Sequence, residues 1–181
     1  VALAKAGMGY HGFSRGAPLR MIVYSDNRAY DVLFQYLKDL SPDTSLLYSV
    51  LRDLGIVWPK TTDEPALTAK EYSSIFRLLY NSSFLSPENS EKALTLLARS
   101  TFNQGLVAGL PPDIAVAHKF GERLNLQDDQ KQLHDCGIIY FSKNPYLLCV
   151  MTRGSDFQEL AKAIATISKM VYEEVDSRRL K

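Results

Sequence analysis

The sequence predicts an α+β fold, in which a helical part is followed by a three-stranded antiparallel sheet covered by a long C-terminal helix. The middle of the chain repeats apolar residues at spacings of three and four, with helix start and stop residues at the ends of the repeats. The final third instead holds short segments rich in β-branched and aromatic residues. Because the helices precede the strands rather than alternating with them, the class is α+β.

Four helices are predicted from apolar periodicity and from their own boundary residues. Ser41, followed by Pro42, is expected to cap the second helix, and Gly55 is expected to end it. Thr68 and Glu71 have the spacing of a capping box at the start of the third. The four predicted segments are Ala29–Leu40, Ser41–Leu54, one that begins after Thr68 and one that begins at Ser86-Pro87.

Three short segments are predicted as antiparallel strands, namely Ala115–Lys119, Cys136–Phe141 and Tyr146–Thr152. The residues 142–145 have the composition of a hairpin turn between the last two strands. The polar stretch Leu124–Lys131 is expected to be a solvated loop between the first two. Ser155 and Gln158 form a second predicted capping box, ahead of an apolar repeat about five turns long. We expect this repeat to form the long C-terminal helix that covers the sheet.

Composition is that of one folded domain. The 181 residues are 46% hydrophobic and 23% charged, with a formal net charge of +1. This charge favours neither a nucleic acid nor an acidic membrane surface as partner. Residues 1–20 contain four of the ten glycines, and we expect an irregular segment there without a signal peptide. Because the chain begins at Val1 rather than Met, an upstream segment is expected. The folded domain is predicted over residues 21–181.

Cysteine and histidine do not form a predicted metal site. Cys136 and Cys149 lack the paired spacing of zinc ligands and are expected to be buried small apolar residues rather than a disulfide. His118 and His134 lie on different predicted strands with no acidic residue at ligand spacing, so both are expected to be structural. The prediction is therefore no metal and no cofactor.

Three polar clusters have residues able to carry chemistry: Ser25–Asn27, His118–Glu122 and His134–Asp135. Each also has an ordinary structural interpretation. A Ser-Asp-Asn triplet before a helix commonly caps it, and a lysine such as Lys119 at a strand end is commonly a solvated charge. The clusters indicate function only together, in this order and followed by a strand hairpin and a long helix.

That ordered set resembles the class A β-lactamase-like family of penicillin-recognising serine hydrolases. Met21–Asn27 resembles the family's Ser-Asp-Asn motif, Ala117–Gly121 its Lys-Thr/Ser-Gly strand, and His134–Tyr140 the next strand with Asp-x-Gly. The resemblance runs from Met21 to about Glu174 and implies a transpeptidase-like domain that is incomplete at its N-terminus. It implies acyl transfer through a serine ester, on a β-lactam or a cell-wall peptide, in the cell envelope or outside the cell.

The resemblance also implies roles for individual residues. Ser25 would relay a proton to the leaving group, and Asn27 would hydrogen-bond the amide of the substrate. Asp26 would be the structural member of this substrate-binding motif. Lys119 would place a positive charge near the proton relay and the substrate carboxylate.

Two further residues have implied roles at the substrate-binding strand. Gly121 would let the substrate backbone approach, and the backbone N–H of Glu122 would be one oxyanion-hole donor. Phe120 departs from the pattern, because the family has a Thr or Ser there whose hydroxyl contacts the substrate carboxylate. Glu64 superficially resembles the family's deacylating Glu, but Thr68 already caps the next helix, so we expect a solvated loop acid.

The family nucleophile is missing from this sequence, because no lysine has a serine three residues before it. The first hypothesis is therefore the larger, C-terminal part of a serine hydrolase, inactive as this fragment. The alternative is a non-catalytic relative that serves as a binding or interaction module. A plain helical interaction domain is disfavoured by the predicted hairpin and the ordered motifs. An incomplete sheet would also leave an exposed edge through which copies could associate.

Overall fold

The structure is a computed structural model that describes residues 10–40, 45–56, 67–125, 128–142 and 144–179. Within these ranges the elements are α1 Tyr10–Val23, α2 Asn27–Leu40, α3 Ser45–Asp53, α4 Ala69–Tyr80, α5 Pro87–Leu97, a 3₁₀ helix Leu106–Gly109, β1 Val116–Asn125, β2 Gln130–Ile139, β3 Tyr146–Gly154 and α6 Phe157–Arg179. Helices, then three strands, then a long helix confirm the predicted α+β class. The chain divides into two compact units, residues 1–65 and 66–181.

Helix α1 occupies much of the segment 1–20 that was expected to be irregular, and for Tyr10 onward that expectation is wrong. The helix contains two glycines and Pro18, which individually disfavour helix. It packs on α2, and Ala17, Val23 and Ala29 in these two helices are buried. Intrinsic propensity is a weak signal that such tertiary packing overrides.

Helix α3 ends as predicted, two residues before Gly55. Gly55 has φ of +74° and donates its N–H to the carbonyl of Arg52 at 2.8 Å, and Ile56 donates to the carbonyl of Leu51 at 2.8 Å. Glycine adopts this left-handed conformation without a Cβ penalty. The predicted N-cap, Ser41, lies outside the described residues.

The start signals of α4 and α5 are confirmed. Glu71 donates its N–H to Thr68 Oγ1 at 3.2 Å, and Thr68 donates its N–H to Glu71 Oε2 at 2.8 Å, which completes the capping box. Ser86 Oγ accepts the N–H of Asn89 at 3.3 Å, with Pro87 as the first helical residue.

The cap of α6 differs from the predicted pair Ser155 and Gln158. Asp156 Oδ1 accepts the N–H of Glu159 at 2.9 Å, and the carbonyl of Asp156 accepts the N–H of Leu160 at 3.1 Å. A carboxylate satisfies a free helix N–H more strongly than a hydroxyl does. The helix therefore begins one residue later than the predicted box would place it.

The three strands form one antiparallel sheet in the order β1-β2-β3. The first hairpin is longer than predicted, since pairing continues to Asn125 opposite Gln130. Four residues of the stretch predicted as a loop, Leu124, Asn125, Gln130 and Lys131, are therefore strand. The polar residues of this stretch misled the prediction because this end of β1 is exposed on both faces, so paired backbone there carries solvated side chains.

One face of the sheet packs on α6 and the 3₁₀ helix. The buried cluster on this face consists of Leu106, Leu133, Val150, Leu160, Ala161 and Ile164. The opposite face faces α4, as the ring contact between Tyr72 and His134 shows. Side chains alternate between faces along a strand, so Phe120 belongs to the α6 face and Lys119 to the α4 face.

Cys136 and Cys149 are joined in a disulfide, so the prediction of two separate thiols is wrong. The two residues are direct cross-strand partners in β2 and β3, with their Cα atoms 4.0 Å apart. Directly opposite residues point to the same face of a sheet and bring their Cβ atoms close. The pairing follows from strand register, which cysteine spacing alone does not reveal.

The described helices include none that is long and apolar enough to cross a membrane. Groups of three or more His, Cys, Asp and Glu residues that could hold a metal ion are likewise not found in the described ranges.

Candidate active-site residues

The Ser25–Asn27 motif lies at the junction of α1 and α2. Asp26 Oδ1 accepts the N–H groups of Arg28 at 2.9 Å and Ala29 at 3.3 Å, which caps α2. Asp26 Oδ2 is bound by Arg20, with Nε at 2.9 Å and Nη2 at 2.7 Å. Burial acts to raise the pKa of Asp26, but the bonds from Arg20 and the two N–H groups hold it below its usual value. Asp26 therefore joins the two helices as an ionised cap.

Ser25 has a left-handed backbone conformation, with φ of +55°. Non-glycine residues adopt this region rarely, and the strain of about 1–3 kcal/mol occurs mainly at functional turns. The Asp26 cap and its ion pair fix the turn on its C-terminal side. Ser25 is half-buried and Asn27, the first residue of α2, is exposed.

Lys119 is half-buried on β1. Its Nζ donates to the carbonyl of Phe120 at 2.7 Å and lies 4.7 Å from the centroid of the Phe120 ring. Burial lowers the pKa of Lys119, and the charge of Asp135 acts in the opposite direction. The interpretation of Lys119 as a freely solvated charge is therefore wrong.

Phe120 packs with the core on the α6 face of the sheet. Its ring stacks on Phe102, with centroids 4.2 Å apart and planes at 16°. This contact gives the residue a packing role. The hydroxyl that the family has at this position is replaced by an aromatic ring turned into the core.

Gly121 and His134 are direct partners across β1 and β2. A Cβ at Gly121 would lie 2.3 Å from Cε1 and 2.4 Å from Nε2 of His134. The imidazole therefore leaves no room for a side chain at position 121. It also meets Tyr72 edge to face, with ring centroids 5.3 Å apart.

His134 is electrostatically linked to Lys119. Burial first, and then the charge of Lys119, lower the pKa of His134, while Asp135 opposes them. Burial also raises the pKa of Tyr72, with a smaller contribution from Asp135. The packing of His134 against Tyr72 and Gly121 agrees with the structural role that the sequence predicted for it.

His118 and Asp135 form a buried polar network behind this strand. His118 Nδ1 lies 2.8 Å from Asp135 Oδ1, and the N–H of Leu106 donates to Asp135 Oδ2 at 2.9 Å. Ser168 in α6 donates its hydroxyl to the carbonyl of Leu106 at 2.8 Å. Gly105 has no room for a side chain, since its Cβ would lie 2.4 Å from Asp135 Oδ2. The predicted structural role of His118 agrees with this network.

The candidate residues are distributed over both compact units. Ser25–Asn27 belongs to residues 1–65, whereas Lys119, Gly121 and Glu122 belong to residues 66–181. Glu122 is exposed on β1 opposite Leu133. Glu64 lies outside the described residues.

Comparison with solved structures gives 48 matching chains. PBP-A, solved also as a mutant in an acyl-enzyme complex with penicillin G, has a TM-score of 0.72 and 18% identity, covering 91% of this chain and 62% of that chain. The TLA-1 extended-spectrum β-lactamase has a TM-score of 0.73 and 21% identity, covering 87% and 62%. A β-lactamase from Chitinophaga pinensis has a TM-score of 0.71 and 17% identity, covering 90% and 64%.

The chain thus spans less than two thirds of the length of these solved proteins. A search of curated protein sequences finds no match. The model of the β-lactamase enzyme family matches residues 19–175, which include both the Ser25–Asn27 turn and the Lys119–Gly121 strand. The chain belongs to the β-lactamase enzyme family.

Proposed function

We propose that this chain supplies the leaving-group and carboxylate-binding side of a serine-hydrolase active site for a β-lactam or a cell-wall peptide. Family membership supports the hydrolase class. The single observation that carries the proposal is the pair of ordered motifs, Ser25-Asp26-Asn27 on a strained, capped turn and Lys119 half-buried on β1.

The reaction is acyl transfer. A serine oxygen attacks the carbonyl carbon, the C–N bond of the amide breaks, and the leaving nitrogen takes up a proton. Ser25 relays that proton, Asn27 hydrogen-bonds the substrate amide, and the backbone N–H of Glu122 donates to the developing oxyanion. The 181 residues contain no Ser-x-x-Lys, so by themselves they are proposed not to form the acyl-enzyme.

Lys119 recognises the substrate carboxylate mainly by charge. Position 120 offers the carboxylate no hydroxyl, because the residue there is a phenylalanine. The ring of Phe120 packs against Phe102 instead. Partial burial strengthens the electrostatic interaction of Lys119 with an anion, since charges attract more strongly when less solvent surrounds them. This arrangement favours substrates with an accessible carboxylate over neutral amides.

A second candidate is a non-catalytic binding module of the same family. Phe120 favours it, because its ring stacks on Phe102 where the family has a hydroxyl for the substrate carboxylate. In this case β-lactams would bind weakly or not at all.

The location proposed is the cell envelope or the exterior. The disulfide between Cys136 and Cys149 supports it, because structural disulfides persist in oxidising compartments. Self-association is proposed through β3, an edge strand in the described sheet that exposes more than a third of both Leu147 and Met151. Exposed apolar edge strands favour pairing with a second chain.

The function is tested by acylation with a fluorescent penicillin, read by gel fluorescence and intact-protein mass. The chain alone should form no adduct, whereas addition in trans of a family segment carrying Ser-x-x-Lys should give one. Lys119→Ala should then lower the acylation rate by about 100-fold or more, since preorganised charge of this kind has such effects. Lys162→Ala is the matched control, because Lys162 is an exposed lysine that pairs with Glu159 on α6.

The serine-hydrolase proposal fails if the completed protein is not acylated, or if both lysine variants behave alike. The binding-module alternative would then be favoured. Far-UV circular dichroism of each variant separates loss of function from loss of fold.

A further inference from the structure

A cavity lies between α4 and the β2–β3 hairpin, on the α4 face of the sheet and at the opposite end of that face from Gly121. It has a volume of about 160 Å³, and its wall consists of Arg77, Tyr80, Ile138, Pro145, Tyr146 and Leu147. These residues include none with a role in the proposed active site. The cavity is formed within residues 66–181 alone.

The volume of the cavity limits the size of the occupant. An engineered cavity of about 150 Å³ binds benzene, and pockets for drug-sized molecules begin at about 300 Å³. A cavity of this volume therefore holds a single ring. Its floor is apolar, with Ile138 only 3% exposed, and Pro145 and Leu147 continue the apolar wall.

The charge of Arg77 indicates which polar group an occupant of the cavity carries. Arg77 lies in the last turn of α4 and is exposed, and the ion pairs among the described residues do not involve it. Burial, and then the charge of Glu91, raise the pKa of Tyr140, but neither Glu91 nor Tyr140 is in the cavity wall. A guanidinium binds a carboxylate through two parallel hydrogen bonds.

We propose that this cavity binds a carboxylate carried on one apolar ring, with Arg77 on the carboxylate and Ile138 and Leu147 against the ring. Such a group is offered by a free monocyclic aromatic acid and by the C-terminal aromatic residue of a peptide. The site is independent of the proposed hydrolase function, because it shares no residue with that site. One ring and one ion pair correspond to a dissociation constant of about 1 mM.

The probes are phenylacetate for the free acid, N-acetylphenylalanine for the peptide terminus, and phenylacetamide as the uncharged equivalent. Each is titrated into the full 181-residue chain and followed by amide NMR shifts. We expect saturable shifts at Ile138 and Leu147 with one or both acids, and binding at least about 10-fold weaker with phenylacetamide. The tighter acid identifies the source of the group.

Arg77→Gln should weaken binding of the acid about 10-fold, which corresponds to loss of one ion pair of about 1.4 kcal/mol. Arg99→Gln, an exposed arginine just beyond α5, is the matched control and should bind as the wild type does. Both are surface substitutions, and their amide spectra report whether the fold is kept. The proposal is overturned if neither acid shifts these amides, if phenylacetamide binds equally, or if the two arginine variants bind alike.

Discussion

Replacing Asp135 with alanine removes the acceptor for two buried groups at once. Asp135 is 0% exposed, and its two carboxylate oxygens each have a separate partner. Oδ1 pairs with His118 Nδ1 at 2.8 Å, and Oδ2 accepts the N–H of Leu106 at 2.9 Å. The substitution leaves both partners in the interior, where water has little access to replace the lost acceptor.

The expected cost can be built from these contacts. Leaving a buried donor without its acceptor typically costs about 1–3 kcal/mol, and Asp135 is the acceptor for two such groups. Both groups lose their acceptor together, so we expect about 4 kcal/mol. This is a large part of the about 5–15 kcal/mol by which domains are stable. Asp135→Asn keeps one acceptor oxygen and should cost less.

The assay is urea unfolding of the full chain, followed by far-UV circular dichroism at fixed pH. Asp113→Ala, in an exposed turn, is the control and should change stability by no more than about 0.5 kcal/mol. If Asp135→Ala lowers the free energy of unfolding by less than about 1 kcal/mol, the argument that this carboxylate holds the network together is refuted.

Two further predictions concern backbone contact and pH. Gly109→Ala would place a Cβ 2.2 Å from the carbonyl oxygen of Ala165 and 2.7 Å from the N of Lys169, both backbone atoms of α6. The substitution should therefore lower the free energy of unfolding, measured in urea, by about 1–3 kcal/mol. An unchanged urea midpoint would contradict this prediction. The pKa of His134 should lie below 6.5 by NMR titration. Near that pH the unfolded chain then binds more protons than the folded chain, so His134 should make stability fall as pH falls below about 6.5. A measured pKa of His134 at or above 6.5 would show that the assigned burial is wrong.

Local signals in the sequence predicted the helix boundaries well. The Thr68–Glu71 capping box and the stop at Gly55 were confirmed because each depends on residues within a few positions of one another. The helix α1 was missed because its glycines and Pro18 disfavour helix locally, and its stability comes from packing on α2. The cap of α6 was misplaced by one residue because serine and aspartate both cap helices.

Features that depend on register were beyond the sequence alone. The disulfide and the contact between His134 and Gly121 both join residues that face each other across strands. A shift of one residue in pairing would reverse every such facing, and the sequence pattern did not fix the strand ends closely enough. Likewise, side chains alternate between the two sheet faces along β1, which explains why Lys119 and Phe120 lie on opposite faces. This assignment requires the limits of the strand to be known.

The peptide group of Leu106 also constrains the order in which the chain can fold. Its N–H is held by a side chain 29 residues away, and its carbonyl by Ser168, 62 residues away. The β1–β2 hairpin, by contrast, first pairs Asn125 with Gln130. Closing the longer of these loops costs about 2 kcal/mol more in chain entropy than closing the hairpin. Docking of α6 onto the 3₁₀ helix is therefore expected after the hairpins have formed, with the α6 face of the sheet exposed until then.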